Sequence, residues 1–152
     1  MPAPTPQQQL AGFIAKYTPA VARQFRAATA RMRKRLPGAC ALVYDNYNGL
    51  VMGFGPTERP SAALFSILAQ PDHVTLCFLQ GARLKDPQRI LAGGGNQVRH
   101  VRLVGGITLD RPEIVALMKQ AMADDHRMVD PANKRPMVIR SVSKKQRPRR
   151  PK

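Results

Sequence analysis

The residues in this chain best suited to chemistry are cations, and they crowd its two ends. Lys144-Lys145-Gln146-Arg147-Pro148-Arg149-Arg150 stands near the C-terminus, and Arg23, Arg26, Arg31, Arg33 and Lys34 fall on one side of a helical pattern near the start. Residues 1–36 carry seven basic and no acidic side chains, and residues 131–152 carry nine basic and none acidic. The stretch between them holds nine of each, so the whole net charge of +16 comes from the ends. A neutral body with cationic ends points to an anionic partner: nucleic acid first, with anionic lipid headgroups or an acidic protein behind it. The anion-binding candidates are Arg23, Arg26, Arg33, Lys34, Lys144, Lys145, Arg147, Arg149 and Arg150. Such side chains neutralise phosphates with steep salt dependence. They carry no means of base readout, so no sequence specificity is expected. The plainer alternative is a basic tail that aids solubility.

Other constellations are weaker. Gly93-Gly94-Gly95-Asn96 precedes a strand and lacks the Gly-Lys-Ser/Thr of a phosphate loop. Its amides at Gly94 and Gly95, with Arg99 or Arg102 beside them, form a possible anion nest, and a flexible turn is the preferred reading. Metal ligation has weak candidates in Asp45, Asp124, Asp125 and His126. His73 and Cys77 stand four apart on or beside a strand and so share a face, but no ligand motif contains them. No nucleophile elbow, Ser-His-Asp order or carboxylate pair is present, so no catalytic residue and no cofactor site is assigned. Cys77 has no neighbouring base to lower its pKa. Tyr47, in a turn, is open to either stacking on a base or packing.

The elements that must position these groups follow from pattern. Leu10, Phe13, Ile14, Tyr17, Val21, Phe25, Ala28, Met32 and Leu36 keep helical spacing, and Thr18-Pro19 divides them into a short helix and a longer one over 19–35. On that second helix the apolar positions span an arc of about 80°, and the basic face opposite has no carboxylate to pair with. Leu36-Pro37-Gly38 stops it. Strands follow at 40–45 and 50–54 around Asn46-Tyr47-Asn48-Gly49, where Asn48 and Gly49 both tolerate positive φ. Residues 62–69 fit strand or helix by period, with strand preferred because Pro71-Asp72 follows. Residues 74–79 read as a central strand, 88–91 as one helical turn and 98–104 as a strand. Asp110 then serves as the cap of a helix bearing Ile114, Leu117, Met118, Ala121 and Met122. Residues 137–139 suit a small edge strand, and the run after residue 144 is too charged and Pro-rich to fold alone.

With 152 residues and 43% hydrophobic side chains, one domain is expected. No apolar run reaches membrane-spanning length. Residues 1–9 lack the charged and apolar regions of a signal peptide. Cys40 and Cys77 lie in apolar runs and read as free thiols, which suits the cytoplasm. Helices at both ends of an antiparallel run of strands give an α+β two-layer sandwich. The divisions expected are a disordered N-terminus at 1–9, the α+β domain at 10–130 and a basic extension at 131–152.

Several blocks carry a family likeness. Tyr44-Asp-Asn-Tyr-Asn-Gly-Leu-Val51, Gly53-Phe-Gly-Pro-Thr-Glu-Arg-Pro60, Val74-Thr-Leu-Cys-Phe-Leu-Gln-Gly81, Asp86-Pro87 and Val98-Arg-His-Val-Arg102 resemble the YdhG-like family of bacterial domains of unknown function. The run from Ile139 to Pro151 resembles the ending of one branch of it. The resemblance covers most of residues 13–151. It implies a frataxin-like sandwich and no particular activity. It brings one alternative, since a relative is described as an intracellular iron chaperone. Frataxin-type iron binding uses acidic residues of the first helix and adjoining edge strand, whereas residues 1–36 here contain no Asp or Glu. The expected function is a non-enzymatic module binding a polyanion. Iron, the sole cofactor considered, enters only under the chaperone alternative. A small-molecule binder or enzyme using the 93–102 segment is a second alternative.

Overall fold

The structure, a computed structural model, describes residues 2–104, 106–124, 127–134 and 137–152, and these form six strands, three α-helices and short connecting turns. Helix α1 covers Pro6–Ala15, four residues ahead of its first apolar position. A capping box sets this start: the Gln8 N–H donates to Thr5 Oγ1 at 3.1 Å and the Thr5 N–H to Gln8 Oε1 at 2.9 Å. The Pro/Gln-rich stretch is therefore helical from residue 6, and the disorder expected over residues 1–9 does not extend through it. Helix α2, Pro19–Arg35, starts as its sequence indicates, with Thr18 accepting from the Val21 N–H and Pro19 in the first turn.

Strands β1 (Cys40–Asp45) and β2 (Leu50–Gly55) form the expected hairpin, closed by the Asn46 N–H to Gly49 carbonyl bond at 3.0 Å. The reversal takes four residues, and neither Asn48 nor Gly49 has positive φ. Gly49 is needed for space: a Cβ there would lie 2.5 Å from the Ala69 carbonyl oxygen. Strands β3 (Phe65–Gln70), β4 (His73–Phe78) and β5 (Arg99–Leu103) extend the sheet. The segment at 88–91 is not the helical turn expected. The Asp86 carboxylate instead accepts from the Ile90 and Leu91 N–H groups around Arg89, whose φ is 52°.

Helix α3, Pro112–Met122, lies in the connection from β5, at one edge of the sheet, to β6 (Val138–Val142), which pairs with β1 at the other. The order is β5-β4-β3-β2-β1-β6, antiparallel throughout except for the parallel β1–β6 pair. The sheet is thus mixed, where a purely antiparallel one was expected, because a strand delivered by a crossover enters in the same direction as its neighbour. It also follows that the basic extension is not separate from the domain, since it supplies the sixth strand.

The core lies between α2 and one face of the sheet. Val21, Phe25, Ala28 and Met32 meet rows such as Val43-Met52-Ile67-Leu76, all 4% exposed or less. Phe65 and Phe78 meet edge to face at 5.4 Å. Each such side chain contributes about 1.5–3 kcal/mol on burial. In this alternation Ala41, Val43 and Asp45 share the core-facing side of β1, which puts one carboxylate at the end of an otherwise apolar row.

Candidate functional site

That carboxylate organises the C-terminal segment. Asp45 is fully buried, and a charge in that setting demands partners. Lys16, just past α1, donates from Nζ to Oδ2 at 2.7 Å, and Arg149 donates from Nη2 to Oδ1 at 2.9 Å. Arg149 is itself buried, with its side chain 4% exposed, and its guanidinium also donates to the Asn46 and Tyr47 carbonyls. Burial pushes the Asp45 pKa up. Hydrogen bonds from Lys16, Gln146 and Arg149, with the Lys16 charge, outweigh it and hold the carboxyl below its ordinary value.

Around this pair residues 143–150 form a strap over the end of the hairpin. The Ser143 N–H donates to the Asp45 carbonyl and the Arg147 N–H to the Tyr47 carbonyl, both at 2.9 Å. Gln146 bridges the Lys16 ammonium and the Asp45 carbonyl. Arg150 Nε donates to the Lys16 carbonyl at 3.1 Å. The Arg147 guanidinium lies 5.5 Å from the Tyr47 ring centre, and that of Arg149 lies 5.9 Å from the Tyr17 ring centre. Tyr17 anchors the floor, donating to the Ala69 carbonyl at 2.9 Å and accepting from the Leu50 N–H at 3.0 Å. Its pKa is raised by burial, against the lowering effect of Arg149. The segment that could not fold alone is ordered by the body it packs on.

The expected anion-binding residues divide accordingly. Arg149 is an internal fastener and offers nothing to a partner, a correction forced by the carboxylate beneath it. Lys144, Lys145, Arg147 and Arg150 are exposed along the strap. Arg23, Arg26, Arg33 and Lys34 are exposed on α2 and form no ion pair among the described residues. The basic face of α2 does find one carboxylate from elsewhere in the chain. Asp110 accepts from Arg31 and, at 2.8 Å, from Arg35. This engages the side chain expected to cap α3, whose N-cap position is instead taken by Arg111, without a side-chain cap.

The anion nest, the less favoured reading of residues 93–102, is not assembled. Arg99 Nη1 donates to the Gly95 carbonyl at 2.6 Å and to the Val98 carbonyl at 2.9 Å, so the turn presents carbonyl oxygens to its own arginine. Arg102 lies on the other face of β5, beside Thr75, Cys77 and His100. Of the metal candidates, Asp45 has both oxygens engaged by internal cations, and Asp124 accepts from Arg127 at 2.7 Å. Asp125 and His126 lie outside the described residues. Among the described residues no three His, Cys, Asp or Glu side chains gather as a metal set. Cys40 is buried and Cys77 half-buried, and no disulfide joins them. Burial pushes the Cys77 thiol up, partly offset by a hydrogen bond with Ser66.

No helix among the described residues is long and apolar enough to cross a membrane. No protein-family model, curated protein or solved structure matches the chain.

Proposed function

We propose that the protein is a cytoplasmic, non-enzymatic module that binds a polyanion, nucleic acid foremost, through the exposed cations of the C-terminal strap and of α2. We further propose that the mixed sheet and its helices are a two-layer sandwich of the YdhG-like, frataxin-like kind. The observation that carries the binding proposal is the division of labour within the strap. Arg149 fastens the segment to Asp45, and Lys144, Lys145, Arg147 and Arg150 stand exposed on chain that is already ordered. Ordering in advance removes part of the entropic cost that a free tail meets on binding. The iron-handling alternative gains no support from Asp45 or Asp124, whose carboxylates are paired with cations.

The test is a salt titration of binding to short single- and double-stranded DNA and RNA. Its comparison protein replaces Lys144, Lys145, Arg147 and Arg150 with Gln and keeps Arg149. Truncation is a poor comparison, because it removes β6 and uncovers Asp45. On duplex DNA each phosphate left unneutralised lowers the slope of log K against log salt by about 0.9. The fourfold variant is expected to flatten it by up to about 3.6 and to weaken binding on every sequence alike. Absence of binding to any of these nucleic acids at low salt refutes the proposal.

A further inference from the structure

A separate cleft lies where the segment after β4 meets the end of α3. Its volume is about 250 Å³, room for roughly eight water molecules by their share of the liquid. That is below the ~300–1,000 Å³ of sites for drug-sized ligands, so a nucleotide is too large for it. Leu64, Phe78, Leu84 and Ala121 make its apolar lining. Phe78 and Leu64 belong to the core, so this part of the lining is rigid.

Two sets of bonds hold the walls apart. The Gln120 carboxamide accepts from the Lys85 N–H and donates to the Lys85 carbonyl, both at 2.9 Å, which fixes the loop after β4 against α3. Arg127 donates to Asp124 at 2.7 Å and to the Ser61 carbonyl at 3.3 Å, which ties the chain beyond α3 to the turn before β3. The charged side chains lining the cleft, among the described residues, are Arg83, Arg127 and Asp124, a balance of +1. Asp124 is opposite in charge to Arg127 and bonded to it. The Arg83 side chain is exposed and has no hydrogen-bond or ion-pair partner among the described residues. The Gln80 carboxamide, also in the wall, likewise has none, while the Gln80 carbonyl accepts from the Arg83 N–H at 3.2 Å.

We propose that this cleft is a binding site for a small organic monoanion, a carboxylate or similar oxyanion on a short apolar body. Arg83 receives the oxyanion, with Gln80 as a second donor, and the apolar body lies on Leu84 and Ala121. A guanidinium suits this role because its fork donates two parallel hydrogen bonds to a carboxylate. The unpaired Arg83 guanidinium in the wall disfavours a cation there, and an ion without an apolar part leaves the lining unused.

The test is a protein-observed NMR titration with hexanoate, using acetate and 1-hexanol as the head-only and body-only probes. Hexanoate is expected to give saturable shifts at the Gln80, Arg83 and Ala121 amides, with a dissociation constant of roughly 1 mM, and both partial probes to bind more weakly. Arg83→Gln, an exposed substitution that leaves the fold intact, should weaken hexanoate about tenfold or more. Ala121→Leu should fill the cleft and abolish the shifts. The fourfold strap variant should bind hexanoate as the wild type does, which separates this site from the polyanion surface. Lack of saturation, shifts that Arg83→Gln leaves unchanged, or acetate binding as well as hexanoate each overturn the proposal.

Discussion

Replacing Arg149 with Met tests whether the strap is fastened by charge. The substitution keeps an apolar stem and removes the cation from Asp45, which is fully buried. Removing one partner of a buried ion pair costs about 3–5 kcal/mol where the other is left uncompensated. Here two features lower the figure. Lys16 remains 2.7 Å from the other carboxylate oxygen, and the strap lies exposed on the surface, so it lifts away and admits water instead of enclosing a bare charge. The expected loss is therefore about 2–3 kcal/mol. Asp45→Asn should cost a similar amount, because Arg149 is left with only the Asn46 and Tyr47 carbonyls. The double variant should cost less than the sum of the singles by at least about 1 kcal/mol. Urea unfolding at neutral pH, extrapolated to water, measures all three. Two single variants within about 0.5 kcal/mol of wild type, or a coupling of zero, would refute the ionic fastening.

The same carboxylate gives the pH dependence its sign. The folded Asp45 pKa lies below the ordinary 3.8, so the ionised form favours folding. That contribution is present in full above the unfolded value and is lost as the pH falls through the lowered folded value. Asp45→Asn should lack this acid step, and an unchanged acid profile would assign it to other groups. Gly49→Ala drives a Cβ to 2.5 Å from the Ala69 carbonyl oxygen, and a loss of about 1–3 kcal/mol is expected in urea unfolding. Tyr17→Phe strips hydrogen-bond partners from the Leu50 N–H and the Ala69 carbonyl, both buried, at a cost of about 1–3 kcal/mol by the same measurement. Asp110→Asn frees Arg31 and Arg35, both partly exposed. It should cost under about 1 kcal/mol in stability while strengthening salt-dependent binding to nucleic acid.

The elements legible in the sequence were those written in local pattern. The Thr18-Pro19 start of α2, its apolar stripe, the β1–β2 hairpin and the strand over Phe65–Gln70 each depend on residues within a few positions of one another. The start of α1 was equally local, in the Thr5…Gln8 box, but Pro and Gln around it resemble a frayed terminus. What pattern did not reveal depends on distant partners. The parallel entry of β6 depends on where α3 delivers the chain. The Asp45–Arg149 pair spans 104 positions, and that of Asp110 with Arg35 spans 75. One signal for the first was present: Asp45 continues the core-facing alternation of Ala41 and Val43, and a carboxylate there requires a buried cation. Among the cations, the one that answers it is distinguished only by the strap's path across Tyr47.

The way this chain uses its few carboxylates bears on the surface it presents. Asp45, Asp110, Asp124, Glu113 and Asp72 pair with Arg149 and Lys16, with Arg31 and Arg35, with Arg127, with Arg111 and with His73. Asp86 and Asp130 accept backbone N–H groups in turns. Seven of the nine acidic residues thus act inside the structure, as fasteners or turn caps. A pair placed this way cancels one cation where the fold needs it and leaves the remaining cations without a neighbouring negative charge. Arg23, Arg26, Arg33 and Lys34 on α2 and Lys144, Lys145, Arg147 and Arg150 on the strap are therefore displayed without an ion pair among the described residues. A field of one sign over such surfaces raises the encounter rate with a polyanion and falls with added salt. It follows that substitutions at the fasteners and at the exposed cations should separate cleanly. Asp45→Asn changes stability with little change in salt slope while the strap remains docked, and variants of the exposed cations, or of the Asp110 that pairs with two of them, change salt slope with little change in stability.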